Sequence, residues 1–284
     1  MCSRRPLPLS ANSPAIDARA AQRRFERAAR SYGRAARLEQ EVGARMLERL
    51  DYVKLAPRWI LDAGSGPARE ATALAARYGG ARIVAADFAL GMLRARRAGW
   101  LRRNPSQPVC ARIEKLPFRD ASMQLVWCNM VLHWLAEPLE ALREFHRLLA
   151  PEGLLLFSLL GPDSLKELRA AAGSARVHEF RDMHDLGDML VAAGFAAPVM
   201  DMEMLTLTYP SGAALLADLR ASGQTSARSD RPRGLAGKRF LKRVRETLAP
   251  RATFEVVYGH AWKAAARAPS EPTVKTIGIF RRVP

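Results

Sequence analysis

"WILDAGSGPARE", residues 59–70, runs from three apolar positions through an acid into two glycines set two apart. An apolar run that ends in Asp62-Ala63-Gly64-Ser65-Gly66 and is followed by Pro67 reads as a buried strand, a tight turn and a helix beginning near 67. Gly64 and Gly66 permit a backbone path closed to other residues and let the chain approach a ligand closely. The third glycine of a dinucleotide fingerprint is absent, because Arg69 stands in its place.

Outward from this stretch the pattern repeats. "RWILDA" (58–63), "RIVAAD" (82–87), "LVWCNM" (125–130) and "GLLLFSLL" (153–160) are short and continuously apolar, and helical patterns at 67–78, 89–99 and 138–150 separate them. Strands apolar on both faces and alternating with helices predict a parallel α/β sheet covered on both sides. A helix at 184–193, a strand at 198–209, helices at 212–220 and 235–248 and a strand at 253–262 complete the expectation. Ahead of the sheet, helices at 17–32 and 36–52 form an N-terminal arm over 17–54, with Asp17 starting the first. Residues 1–16 read as disordered, and 55–284 as the main domain with helical, basic insertions near 161–183 and 211–250.

In such a sheet, ligands sit at the carboxyl ends of the strands, beside the point where strand order reverses. Asp62, Gly64, Ser65 and Gly66 end the first strand. Asp87 ends the second, about twenty residues on, where a carboxylate takes the two hydroxyls of a ribose. Phe88 and Met92 come directly after it and are candidates to flank a purine.

The 284-residue chain carries a net charge of +17, which predicts an acidic partner or substrate. The charge is concentrated, with eleven arginines against five acids in residues 1–50 and nine Lys or Arg against three acids in residues 211–250. Arg19, Arg23, Arg27, Arg30, Arg34 and Arg37 have helical spacing and share one face. No apolar run approaches the ~20 residues of a membrane span. No nucleic-acid motif or aromatic interleaving accompanies the charge. Cys2, Cys110 and Cys128 share no metal-ligand spacing, and Cys110 and Cys128 read as buried strand residues. No metal site is expected.

The order of these features resembles the class I S-adenosylmethionine-dependent methyltransferases over about 55–160. "CARIEKLPF" (110–118) succeeds the third candidate strand and "NMVLHW" (129–134) the fourth. The resemblance implies a Rossmann-like, mainly parallel seven-stranded sheet with an N-terminal arm and a small helical cap. "RRFERAARSY" (23–32), "LGPDSLKELR" (160–169), "HDLGDML" (184–190) and "LTLTYPSGAALLADLRASG" (205–223) are similar to the malonyl-acyl-carrier-protein O-methyltransferase family of biotin synthesis. That likeness spans about 20–265. It implies S-adenosylmethionine as methyl donor and an acidic acyl carrier protein bearing malonyl as partner.

By this resemblance Asp62, Gly64, Ser65, Gly66, Asp87, Phe88, Met92, Ile113, Glu114, Asn129 and Met130 hold the cofactor. Tyr32, Arg27, His133, Trp134 and Arg220 meet the substrate, with Tyr32 closing the pocket and Arg27 or Arg220 pairing with the carboxylate. Two positions depart from the family pattern, Arg112 and Gln124, where an aspartate is usual. No acid/base residue is expected, since a carboxylate acceptor is already ionised near neutral pH. Asp163 is expected to cap a helix, and His146, His178, His184 and His260 to be structural, His184 at a helix start. Cytoplasmic placement is expected of a bacterial chain and the mitochondrial matrix of a eukaryotic one. Two other readings stay open: a complex I assembly factor of the same fold, and a non-catalytic binding protein of methyltransferase shape.

Overall fold

The computed structural model describes residues 16–96, 105–232, 234 and 237–265. The expectation for residues 1–15, the end of the 89–99 helix beyond 96 and the start of the 235–248 helix lie outside them. Two helices open the described chain, α1 (Ala18–Ala35) and α2 (Arg37–Arg49). Asp17 caps α1 as expected, its carboxylate accepting from the Ala20 N–H at 2.9 Å.

Then come β1 (Trp59–Ala63), α3 (Ala71–Arg77), β2 (Arg82–Asp87), α4 (Leu90–Ala95), β3 (Gln107–Cys110), β4 (Met123–Asn129), α5 (Pro138–Leu148) and β5 (Leu149–Leu160). The remainder comprises α6 (Lys166–Ala172), α7 (Met183–Ala192), β6 (Ala196–Thr208), α8 (Gly212–Ala221), α9 (Lys238–Thr247) and β7 (Arg251–Trp262). The seven strands form one sheet in the order β3-β2-β1-β4-β5-β7-β6. The first five are parallel, and β7 runs antiparallel between β5 and β6. Strand order reverses at β1, between β2 and β4, as a doubly wound sheet requires.

Alternation along each strand divides the core. Ile60, Leu125 and Leu154 face the side covered by α2 and α3. Their neighbours Leu61, Val126 and Leu155 face the side covered by α5 and α7. All six are fully buried, which is why these strands carry no polar alternation.

Several boundaries and environments differ from expectation. The third helix begins at Ala71, not near 67, because Gly66 (φ +53°) and Ala68 (φ +51°) carry the chain through a left-handed loop first. Cys110 is exposed, since β3 is a short edge strand, while Cys128 is buried in β4. Asp163 caps nothing: α6 is entered through Leu165 at φ +57° with no side-chain cap, and the Asp163 N–H donates instead to Glu255 at 2.8 Å. His184 does sit at a helix start, beside the Asp182 cap of α7. Gln124 has a local reason, because its side-chain oxygen accepts from the Arg58 and Trp59 N–H groups and fixes the entry to β1.

Candidate active site

The site is built first from the β1–α3 loop. The N–H groups of Gly64 and Ser65 both donate to the Ala86 carbonyl, at 2.8 and 3.0 Å, folding the loop over the end of β2. The Gly66 N–H donates to Asp87 Oδ2 at 2.8 Å, and the Ala89 N–H to Asp87 Oδ1 at 2.7 Å. Each Asp87 oxygen keeps a further acceptor position. Burial pushes the Asp87 carboxyl up to about 6, against the lowering pull of those two bonds.

The arm supplies the roof. Phe25 and Tyr32 of α1 pack with Ala28, Ala29, Phe88, Ala89 and Met92. Polar contacts hold α1 down on both sides: Gln22 donates to the Phe88 carbonyl at 2.6 Å and Glu26 accepts from the Gly91 N–H at 2.9 Å. Opposite, Ser31 donates to the Ala221 carbonyl at 2.7 Å and Arg24 to that of Thr225 at 2.6 Å. A Cβ on Gly66 would lie 3.6 Å from the Tyr32 ring, so the glycine keeps open the gap between loop and roof.

Two connected hollows result. The first is lined by Gly64, Gly66, Asp87, Phe88 and Met92 on one side and by Ile113, Glu114, Met130 and Trp134 on the other, with Phe25 and Tyr32 above. The second holds about 370 Å³ and shares Tyr32, Gly64 and Asn129 with the first, adding Glu39, Asp62, Ser65 and Glu70. Three carboxylates therefore meet around it. Asp62 is 2% exposed and its Oδ2 has no hydrogen-bond partner among the described residues. Burial holds the carboxyls of Asp62 and Glu70 above their usual range and that of Glu39 up at about 7. A buried acceptor without a donor is costly unless a ligand completes it, and the carboxylates around Asp62 favour a group that donates hydrogen bonds there.

Every residue expected to hold a cofactor lines one of these two hollows. Asn129 does so in a bracing capacity. Its amide donates to the Glu39 carbonyl at 2.9 Å and accepts from the Ser158 hydroxyl at 2.8 Å, tying α2 to the ends of β4 and β5. Arg112 is exposed, lines the first hollow at its rim and pairs there with Glu114.

The residues expected to meet substrate divide. Tyr32 lies between the two hollows, with its phenol held un-ionised by burial and by the surrounding carboxylates. Trp134 lines the first hollow and also a third, in which His133 and Arg220 take part. Arg27 is brought to none of them; it is exposed with the other arginines on the outer face of α1, because the inner face is taken by Ala28 and Ala29. His178, read as structural, accepts from the Ala227 N–H at 2.6 Å and packs edge-on against Trp134.

Glu39 was not among the expected site residues. Its signal lay in α2, where Leu38, Glu39, Val42, Gly43 and Met46 form the buried stripe and a carboxylate interrupts it. Such a residue at an apolar position asks for a reason.

Comparison with known proteins bears on the fold and the family of the chain. A family model described as "Methyltransferase domain" matches residues 61–157. The malonyl-[acyl-carrier protein] O-methyltransferase of Methylovorus sp. (strain MP688) is 46% identical over 280 residues, covering 91% of this chain and 93% of its own length. The protein of the same name from Laribacter hongkongensis (strain HLHK9) is 47% identical over 262 residues, with 86% and 88% covered. Among solved structures, the YcgJ protein of Bacillus subtilis superposes with a TM-score of 0.55 at 18% identity, covering 80% of this chain and all of that one. The [4+2]-cyclase SpnF superposes at 0.51 with 20% identity, covering 78% and 81%. At these identities the structures testify to the shared fold alone.

Proposed function

The chain belongs to the malonyl-[acyl-carrier protein] O-methyltransferases, and from that premise we propose that it methylates the free carboxylate of a malonyl thioester carried on an acyl carrier protein, an early step of biotin synthesis. The observation that carries the reading is the pair of joined hollows at the ends of β1 and β2, with a bifunctional Asp87 in one and an unpartnered, buried Asp62 oxygen in the other.

These residues fit S-adenosylmethionine. Asp87 accepts the ribose hydroxyls with its remaining lone pairs, Phe88 and Met92 flank the adenine, and Ile113 and Glu114 meet its edge. Gly64, Ser65 and Gly66 offer backbone to the amino-acid tail, whose ammonium is met by Asp62, with Glu39 and Glu70 adding negative potential. Met130 forms the wall opposite the loop. Bound there, the sulfonium supplies an electrophilic methyl. The chain's own task is then to align a carboxylate oxygen with that methyl, dry the site and place no competing nucleophile nearby, which is catalysis by positioning and desolvation. No residue is needed to remove a proton, because the acceptor arrives as a carboxylate with a pKa near ~4.

Tyr32 closes the hollow, and Trp134, His133 and Arg220 receive the acceptor. Arg27 acts at a distance, as one of the exposed cations that attract the acidic carrier. We take 17–54 as the arm and the segments near 161–183 and 211–250 as the cap over the sheet. Cytoplasmic placement is part of the same proposal, supported by bacterial relatives and by the absence, among the described residues, of any helix long and apolar enough to cross a membrane.

Two measurements test the reading. Calorimetry with S-adenosylhomocysteine gives heat if the pocket works and none if the protein is a non-catalytic relative. Labelled methyl transfer should favour malonyl-carrier protein over malonyl-CoA, RNA and unrelated protein; label on RNA alone would overturn the choice of substrate.

A further inference from the structure

The third hollow, of about 210 Å³, meets the cofactor hollow only at its inner end. Trp134 is common to both, and His133 stands beside it. From there apolar walls lead outward between Leu168, Leu216 and Leu219 to Phe240 and Leu241 of α9. Lys238, Arg239, Lys242, Arg243 and Arg245 stand exposed on that helix. Arg176 lies across Phe240, 4.3 Å from the ring centroid. An apolar passage with a cationic mouth and a polar floor suits a long, flexible, largely uncharged arm that brings one anionic end inward and is tethered to an acidic body outside.

The floor has a fixed hydrogen-bonding sense. His133 is 9% exposed, and its Nδ1 accepts from the Leu160 N–H at 3.4 Å. In the neutral ring the proton must then sit on Nε2, and Nε2 is buried with no partner among the described residues. Burial, reinforced by His178 nearby, holds this ring neutral by lowering its pKa to about 3. A neutral donor anchors one carboxylate oxygen while drawing less electron density from the other than a cation would.

Resting on the function proposed above, we propose that this third hollow is the passage for the carrier protein's thioester arm, and that the His133 Nε2–H holds one oxygen of the terminal carboxylate so that the other faces the methyl donor.

The test uses the full chain, with malonyl-carrier protein as acceptor and S-adenosylhomocysteine as calorimetric probe. L216W narrows the passage and L241W, at an exposed position, obstructs its mouth. Each should raise KM for the acceptor about tenfold or more, with inhibitor affinity within about twofold of the unmutated enzyme. H133F should lower kcat/KM about 10- to 100-fold, the range expected for losing a hydrogen bond to a charged group. H133Q, whose amide N–H reaches the same region, should recover most of that loss. Wild-type KM in both tryptophan variants that bind inhibitor would exclude the passage. Equal activity in H133F and H133Q would exclude the donor role. Unmutated enzyme that leaves malonyl-carrier protein unmethylated would instead sink the underlying reading, and this one with it.

Discussion

Asp87 Oδ2 accepts the Gly66 N–H at 2.8 Å, so the acid ending the second strand is fastened to the glycine loop ending the first. The two halves of the proposed nucleoside site are thus one hydrogen-bonded unit. D87N removes the charge and replaces one acceptor oxygen by an NH2 donor, which then faces one of the two backbone N–H groups that Asp87 satisfies. The expected outcome is an S-adenosylhomocysteine Kd raised about 10- to 100-fold, from the ~1.5–3 kcal/mol typical of a hydrogen bond to a charged group. Calorimetry checks it, and unchanged affinity would remove Asp87 from the ribose.

The loop glycines should respond unequally. Gly64 adopts φ +72°, and a Cβ there would lie 2.3 Å from Val131 Cγ2. At Gly66, with φ +53°, the nearest atom is the Tyr32 ring at 3.6 Å. Both alanine variants incur roughly 1–2 kcal/mol of left-handed backbone cost, but only G64A adds a collision. G64A should therefore melt at a lower temperature than G66A, and V131A should restore part of the difference. G66A should chiefly weaken inhibitor binding.

The buried carboxylates set a pH dependence of definite sign. Asp87 rises from 3.8 to about 6 and Glu39 from 4.5 to about 7, both through burial. The folded, ligand-free protein binds more protons than the unfolded chain across this window. Their contribution to stability is fully present below about 4 and is lost as pH rises through 7. Inhibitor binding runs the other way, since the ammonium group of the ligand and its ribose hydroxyls are met best by ionised carboxylates. Melting temperature should fall from pH 5.5 to 8 without ligand, and the gain on adding S-adenosylhomocysteine should grow. E39Q, still able to accept from Gln224, should raise the ligand-free melting temperature at pH 8 while weakening the inhibitor about tenfold. Loss on both counts would make Glu39 purely structural.

The exposed cations of α9 should matter to a macromolecular acceptor and not to a small one. K242E with R243E should raise KM for malonyl-carrier protein severalfold at low ionic strength, and added salt should erase the difference, because exposed charges are screened beyond about 10 Å at 0.1 M. A small malonyl thioester should be methylated at the unmutated rate. Equal effects on both acceptors would place these residues elsewhere in the reaction.

The sheet was legible because β1, β2, β4 and β5 are buried on both faces, and nothing but continuous apolar sequence satisfies that. Strand β3 was located only through the "ARIEKLPF" loop at its end, since "QPVC" at an edge is mostly exposed. The acid and glycines of the site were readable from spacing, because the turn demands their backbone freedom. The long-range contacts escaped. Arg228 belongs to a basic stretch by sequence, yet it is 5% exposed and paired with Glu179 and Asp230, so it adds nothing to the cationic surface. Arg27 has the right spacing but the wrong face. Glu39 reaches the site only because α2 lies behind β4, a contact 90 residues apart in the chain.

One helix, α1, turns a seam of alanines and aromatics inward to roof the first hollow and a column of arginines outward to water. Because a helix moves as a rigid rod, whatever grips that column from outside also loads the lid. On the function proposed above, docking of a negatively charged visitor and retention of the nucleoside beneath would both bear on this single rod.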